Sequence, residues 1–474
     1  LKHFASLSLL LVAVTWPRPA LAQITWERRY GGDYNERIQD IIQPSGDLAY
    51  VAVGNTNSYG PGSPDFDNPF IMKVDYRGQV LWFRTHGAEV ADGVYCVRET
   101  MTERGFVMCG YRRLEADHEV MLLIRTDPLG NLLWERTYGG DYSGFATSVT
   151  PTLDGGFLLT GYLGEDYPAY SEAILLKIAA DGDVLWKRNF VFTFEGVGFR
   201  VIESVDGGLV FAGHANVGGS LQQQYFVAWL DSTGLPYRTR YYGGDGPDRL
   251  VSMERTPTGY VLVGNTPDDP PVHSWPHLVA ISRTGDVLWD RILVEPLTQP
   301  VYGCRAAGDG GLILAGGMNE NGARSDLYIM KTDPDGSMSW RRRYGAGGGY
   351  TDVGYGVMPT RDHGYIVGGF SSSGGPGDSI YLIKTGPDGT LGSAMIPDFP
   401  LAGSTPRASV RPNPFRSITT LPGHERKPVV LFDVGGRIVG HYEGSSIGGD
   451  LSPGVYFLQL PDVEGEPLRI VKTP

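Results

Sequence analysis

Ile24-Thr25-Trp26-Glu27-Arg28-Arg29-Tyr30, followed by Gly31-Gly32, is the stretch on which the architecture turns. Its phrase (apolar residues, then Trp, one residue, Arg, and shortly afterwards a Gly-Gly pair) returns with variations along the chain. The anchors are Trp26, Trp82, Trp134, Trp186, Tyr237, Trp289 and Trp340, spaced by 56, 52, 52, 51, 52 and 51 residues. A further step of 51 lands on Leu391, where the chain reads Gly389-Thr390-Leu391-Gly392 and the phrase is missing. Seven intervals are therefore closed, and the eighth anchor is blank.

Within each interval lie four short segments rich in apolar, β-branched and aromatic residues. In the third they are 144–150, 157–162, 173–178 and 184–190. Gly and Asp bound them, as at Asp154-Gly155-Gly156 and Ala180-Asp181-Gly182-Asp183, so they read as strands joined by tight turns. The second strand carries a glycine at a fixed place: Gly54, Gly110, Gly161, Gly213, Gly264, Gly316 and Gly368. Glycine weakens a strand unless another group must come close, and the anchor aromatic is the expected neighbour.

A four-stranded unit recurring about every 50 residues fits a β-propeller blade. The last unit, 352–391, supplies three strands, and the orphan at 24–30 is the missing fourth. Joining them gives an all-β fold: a seven-bladed propeller over 23–392 whose N-terminal strand closes the last blade. An open solenoid would need capping units at both ends. The phrase Asp127, Gly130, Leu133, Trp134 resembles the blade repeats of pyrroloquinoline-quinone-type propellers. The whole pattern is similar to the long repeats of secreted bacterial propeller proteins.

The ends of the chain point to export. Residues 1–22 read as a signal peptide: Lys2, an apolar run from Leu7 to Val14, and Ala20-Leu21-Ala22 before Gln23. No apolar stretch approaches the roughly 20 residues of a transmembrane helix. A linker, 393–407, leads to a smaller unit at 408–474, expected to be an immunoglobulin-like β-sandwich. Three phrases mark that unit in order: Arg411-Pro412-Asn413-Pro414-Phe415, then Val429 to Val439 about a Gly435-Gly436 turn, then Leu451-Ser452-Pro453-Gly454-Val455-Tyr456. Together they resemble the type A C-terminal sorting domain of the type IX secretion system, which implies that machinery as partner and an outer-surface or secreted location.

Composition excludes several roles. A formal charge of −13 over 474 residues speaks against nucleic-acid binding, which needs a basic footprint. Three cysteines cannot build a disulfide scaffold. Cys96 and Cys109 flank one hairpin nearly symmetrically, so they are either a cross-strand disulfide or unpaired core residues. No nucleophile elbow, zinc-protease helix or phosphate loop occurs. Asp333-Pro334-Asp335-Gly336 reads as a hairpin turn, and Pro271 and Pro276 disfavour a helix that would align His273 with His277 as metal ligands.

A binding face is expected where second-to-third connections run long, at 55–69, 163–172, 265–276, 318–325 and 371–378, together with the links between blades. Tyr59, Phe66, Tyr167, Tyr170 and Trp275 are the candidate stacking residues there. The links also carry acids, and Asp33, Asp92, Asp141, Asp245 and Asp352 form a candidate Ca²⁺ ring at the channel mouth. No other cofactor is expected. The function these features favour is non-enzymatic binding of an extracellular glycan or protein; the alternative is a secreted propeller enzyme, either quinone-dependent or polysaccharide-cleaving.

Overall fold

Every innermost strand of the propeller lies beside the next, and Asp352–Pro359 lies beside Glu36–Ile42, so the circle is closed. The computed structural model describes residues 24–392 except 62–63, 116–117, 167–169, 193, 205–206, 218–221, 245, 268–273, 295–299, 320–323, 346–348 and 374–376. Beyond these it describes 428–432, 438–443, 447, 451–452, 454–459 and 468–472. The signal peptide at 1–22 and the linker at 393–407 lie outside the described residues. Contacts divide the chain into two units, Leu1–Leu401 and Ala402–Pro474.

The first unit contains seven four-stranded antiparallel sheets. Six are consecutive meanders. The seventh runs Trp26–Tyr30, Ser379–Thr385, Tyr365–Ser371, Asp352–Pro359 from rim to axis, with Trp26 opposite Lys384 and Tyr30 opposite Ile380. The expected closure is therefore observed. Among the described residues of the ring, the strand edges that face outward are the short rim strands.

The recurring Trp-x-Arg phrase has a structural reason. Each outer-strand Trp lies on the turn glycine of the next blade's last hairpin: Trp82 on Gly130, Trp186 on Gly234, Trp289 on Gly336, Trp340 on Gly389. At Gly130 the backbone has φ +75°, and its N–H donates to the Asp127 carbonyl, so glycine serves both the turn and the flat contact. The following Arg stacks along the indole, 5.9 Å from Trp82 for Arg84 and 5.1 Å from Trp186 for Arg188. Where a Tyr stands two residues after that Arg, it donates its hydroxyl to the same turn: Tyr138 to the Gly182 carbonyl at 2.8 Å, Tyr242 to Gly285 at 2.7 Å, and Tyr30 to Gly78. One phrase thus clamps each blade to its successor.

Two sequence expectations shift here. In the fourth blade the anchor is Arg238, one residue beyond Tyr237. Arg238 pairs with Trp229 as Lys177 pairs with Trp186, so the aromatic and basic partners have exchanged strands. Trp229 still lies on the next turn glycine, Gly285, and donates to the Arg283 carbonyl at 3.0 Å. Tyr237 is correspondingly exposed.

The strand glycines do not sit beneath the anchor aromatics. A Cβ on Gly54, Gly110, Gly161, Gly213, Gly264, Gly316 or Gly369 would lie between 1.8 and 2.2 Å from a carbonyl oxygen of its own blade's innermost strand. In the seventh blade the equivalent residue is Gly369 rather than Gly368. The intruding carbonyl belongs to the residue just before a register shift, and all seven innermost strands carry that shift at the same place.

The described strands of the second unit form one antiparallel sheet in the order Ile438–Glu443, Pro428–Phe432, Gly454–Gln459, Leu468–Lys472. Val429, Leu431, Ile447 and Leu458 form a buried apolar cluster among the described residues of this unit. The phrase at 411–415 and the Gly435-Gly436 turn lie outside the described residues, as does any second layer of the expected sandwich. Among the described residues no helix is long and apolar enough to cross a membrane.

Candidate functional site

A β-bulge adds one residue to a strand and re-aims the side chains around it. In this ring the added residues are Gln39, Tyr95, Thr147, Phe199, Val251, Tyr302 and Tyr355, one from each blade, and all line a central cavity of about 710 Å³. The chain of cause is short: a strand glycine admits a carbonyl, the carbonyl permits a bulge, and the bulge puts one side chain per blade into the channel. Glu195, Arg249 and Asn265 place the cavity at the face of the blade links, while Asp40, Arg98 and Arg305 carry it to mid-strand.

Its upper wall is aromatic. Tyr95, Tyr111 and Phe145 make a stack with centroids 5.8 and 4.8 Å apart, and Tyr162 continues it 5.5 Å from Phe145. Across the channel Tyr302 lies 5.2 Å from Tyr355, which stacks on Phe370. Tyr302 is 42% exposed, so its ring face is open to a ligand.

Deeper, the lining is charged. Asp40 accepts from Arg98 at 2.6 Å and from Arg305 at 2.9 Å, bringing the second, first and sixth blades together. Burial alone would raise the Asp40 carboxyl, but Arg305 and Arg98 outweigh it and its pKa lies below the ordinary value. Arg249 donates to Gln223, and Gln223 donates to Glu195. Cys96, Cys109 and Cys304 are free buried thiols. Cys96 and Cys109 are register partners, and the Cys109 thiol and Arg98 draw Cys96 downward while burial pushes Cys109 up.

The acids and aromatics expected at this face are placed as follows. Asp92 is buried, accepts from Arg112 at 2.7 Å and from the Ala88 amide at 3.0 Å, and so ties down its own blade link. Glu36 and Asp248 do the same for the Gly32 and Gly244 amides. Asp352 is buried, Asp33 and Asp141 are exposed, and Asp245 lies outside the described residues. Among the described residues no three His, Cys, Asp or Glu are grouped as metal ligands.

Tyr59 packs edge-on to Phe83 at 5.5 Å, within its own blade, whereas Phe66 is exposed. Tyr170 and Trp275 stand on strands rather than loops, because the hairpins at 163–172 and 265–276 keep pairing past the apolar pattern, with Asp166 opposite Tyr170 and Thr266 opposite Trp275. Tyr167 and His273 lie outside the described residues. His277 is held by Asp248 and Asp290, at 2.9 Å on each ring nitrogen. Asp333 to Gly336 is the expected hairpin turn, closed by the Gly336 amide on the Asp333 carbonyl.

Sequence reasoning missed the channel residues. The signal was present: reading one residue per blade at the bulge, and the positions one and three beyond it, aligns Asp40 with Arg200 and sets Arg98, Glu254 and Arg305 in one column.

Neither a protein-family model nor a curated protein matches the chain. Among solved structures, a Bacteroides caccae protein of unknown function is 10% identical over 65% of this chain and 94% of its own, with a TM-score of 0.38. Sqt1 from Chaetomium thermophilum is 12% identical over 78% and 86%, with a TM-score of 0.43. An acylaminoacyl peptidase from Pyrococcus horikoshii is 10% identical over 74% of this chain and 52% of its own, with a TM-score of 0.43, so the chain spans about half of that enzyme's length. At such identities nothing about activity passes to this chain.

Proposed function

We propose that the protein is an exported, non-enzymatic binding propeller whose extracellular ligand, a glycan, enters the central cavity from the face of the blade links. The observation that carries the reading is the aromatic wall: Tyr302 beside Tyr355 on one side and the Tyr95, Phe145, Tyr162 series on the other. Tyr302, Tyr355, Tyr95 and Phe145 are partly open while Tyr162 is buried behind them. Flat rings above a cavity are suited to the apolar faces of sugar rings, and aromatic side chains offer large contact at small entropic cost. Export rests on the signal-like residues 1–22 and on the sorting-domain phrases within 408–474, which would engage a type IX secretion machinery and leave the propeller at the cell surface.

The test is a glycan array with the whole protein and with the Tyr302→Ala/Tyr355→Ala variant. Binding to a defined glycan class that the double variant loses supports the reading. A blank array, or binding indifferent to both tyrosines, overturns it. For export, deletion of 408–474 should leave the propeller in the periplasm, and unchanged surface display would refute the sorting role.

A further inference from the structure

Four arginines line the central cavity, Arg98, Arg200, Arg249 and Arg305, against two carboxylates, Asp40 and Glu195. The cavity is thus cationic within a chain whose formal net charge is −13. Three of the four guanidiniums are engaged: Arg98 and Arg305 on Asp40, Arg249 on Gln223. Arg200 differs. Its Nε and Nη1 are buried without a hydrogen-bond partner, and it forms no ion pair among the described residues.

A desolvated guanidinium with unused donors is costly, and proteins pair such groups or bring a ligand to them. Its surroundings add to the cost. Burial foremost, with Arg98 and Arg305 nearby, draws Arg200 down to about 10, so it remains a cation at neutral pH. Glu254 is the carboxylate in its neighbourhood, yet Glu254 is used by the Ser252 hydroxyl at 3.2 Å and the Ala306 amide at 3.4 Å. The cavity lining also offers the hydroxyl of Ser148. Unpaired cation, converging positive charge and a neutral donor are what an oxyanion needs, and the planar guanidinium fork fits two oxygens of one such group.

We propose that the cavity is an oxyanion subsite, with Arg200 as its principal donor, and that the ligand entering past the aromatic wall is an acidic glycan bearing a carboxylate, sulfate or phosphate. The glycan part of this statement rests on the function proposed above; the oxyanion part stands on Arg200. The acidic exterior does not forbid entry, because surface charges beyond about 10 Å are screened at physiological salt while the cavity focuses its own field.

The experiment has two arms, both on the whole protein. In the first, inorganic sulfate, inorganic phosphate and acetate are titrated calorimetrically at constant ionic strength into the parent, Arg200→Gln and Arg200→Lys. At least one anion should bind the parent, Arg200→Gln should bind it at least tenfold more weakly, and Arg200→Lys should fall between them. Arg200→Gln should melt no lower than the parent, since it removes a buried unpaired charge. Failure of all three anions to bind, equal binding by Arg200→Gln, or a markedly lower melting point for it overturns the proposal. In the second arm the same variants are placed on the glycan array. Loss of acidic glycans by Arg200→Gln supports the acidic class. Neutral glycans alone, retained by that variant, overturn the oxyanion subsite and leave the glycan reading intact. Anion binding with a blank array overturns the glycan reading and leaves the subsite.

Discussion

The Trp26 indole donates its N–H to the carbonyl of Tyr76 at 2.9 Å, across the junction between the last blade and the first. The strand that carries Trp26 therefore does two things at once. It completes the seventh sheet by pairing with Ser379–Thr385, and it grips the outer hairpin of the first blade through Trp26, Arg28 and Tyr30. Trp26 and Tyr30 share one core cluster with Tyr50 and Phe70 of the first blade and Ile366, Ile380 and Leu382 of the last. Closure is a packing event as well as a hydrogen-bonding one.

Trp26→Ala should consequently cost about 3–5 kcal/mol, the usual range for truncating a buried Trp, with the indole hydrogen bond included. Chemical denaturation read by intrinsic fluorescence measures it. A companion change, Tyr237→Ala, removes an aromatic from the corresponding strand of the fourth blade where the ring is exposed, and should move stability by less than about 0.5 kcal/mol. Equal losses in the two variants would show that the seam is not special.

Gly161→Ala tests the link from sequence repeat to channel. The new Cβ would meet the Phe145 carbonyl oxygen at 2.0 Å, so the bulge must open or the strand must shift. The expected cost is about 1–3 kcal/mol, typical of overpacking. Gly155→Ala, at a turn with nothing within 4 Å but with φ +83°, separates backbone strain from collision. Gly161→Ala should also displace Thr147 and Phe145 and so weaken ligand binding, whereas Gly155→Ala should affect stability alone.

The ring was legible because its information is local and repeated. Trp82, Trp134 and Trp186 recur at nearly constant spacing, and the blank at Leu391 against the orphan at Trp26 fixes both the number of blades and the mode of closure. The Trp229–Arg238 exchange was hidden, since a swap across two paired strands leaves composition unchanged while shifting the anchor by one residue. The channel was hidden for a different reason. Bulges break the two-residue alternation by which inward and outward positions are told apart. Asp40, Arg98, Arg200 and Arg305 also come from four separate blades, so no local motif contains any two of them. The loop aromatics looked like a site because long connections usually are one, but Tyr59 serves its own blade and Trp275 extends a hairpin.

The Asp40 bridge should show itself in acid. Its folded-state pKa is depressed by Arg305 and Arg98 against the effect of burial, so its contribution is complete above the ordinary carboxylate range and is lost as pH falls through the lowered value. Asp40→Asn at neutral pH leaves two guanidiniums without their shared acceptor and should cost roughly 3 kcal/mol. The gap between parent and variant should then narrow as pH falls below the ordinary carboxylate range and the parent carboxyl takes up its own proton. Urea midpoints across that range decide the matter, and a gap independent of pH would mean that the bridge does not titrate with folding.

His277 should respond with the opposite sign. Burial pushes the imidazole pKa down, but Asp248 and Asp290, one at each ring nitrogen, outweigh it and the net shift is upward. A raised folded-state value means that the contribution is complete below the ordinary histidine pKa and is lost as pH rises through the raised one. Burial lowers His86 and His214 instead, so their contributions run the other way and mask the effect in the parent alone. The difference between the parent and His277→Gln removes that background. It should be roughly 2 kcal/mol at pH about 5.5, as for a buried hydrogen-bonded charge, and smaller at pH about 9. A difference that grows with pH would mean that folding favours the neutral imidazole, and the charged bridge would be refuted.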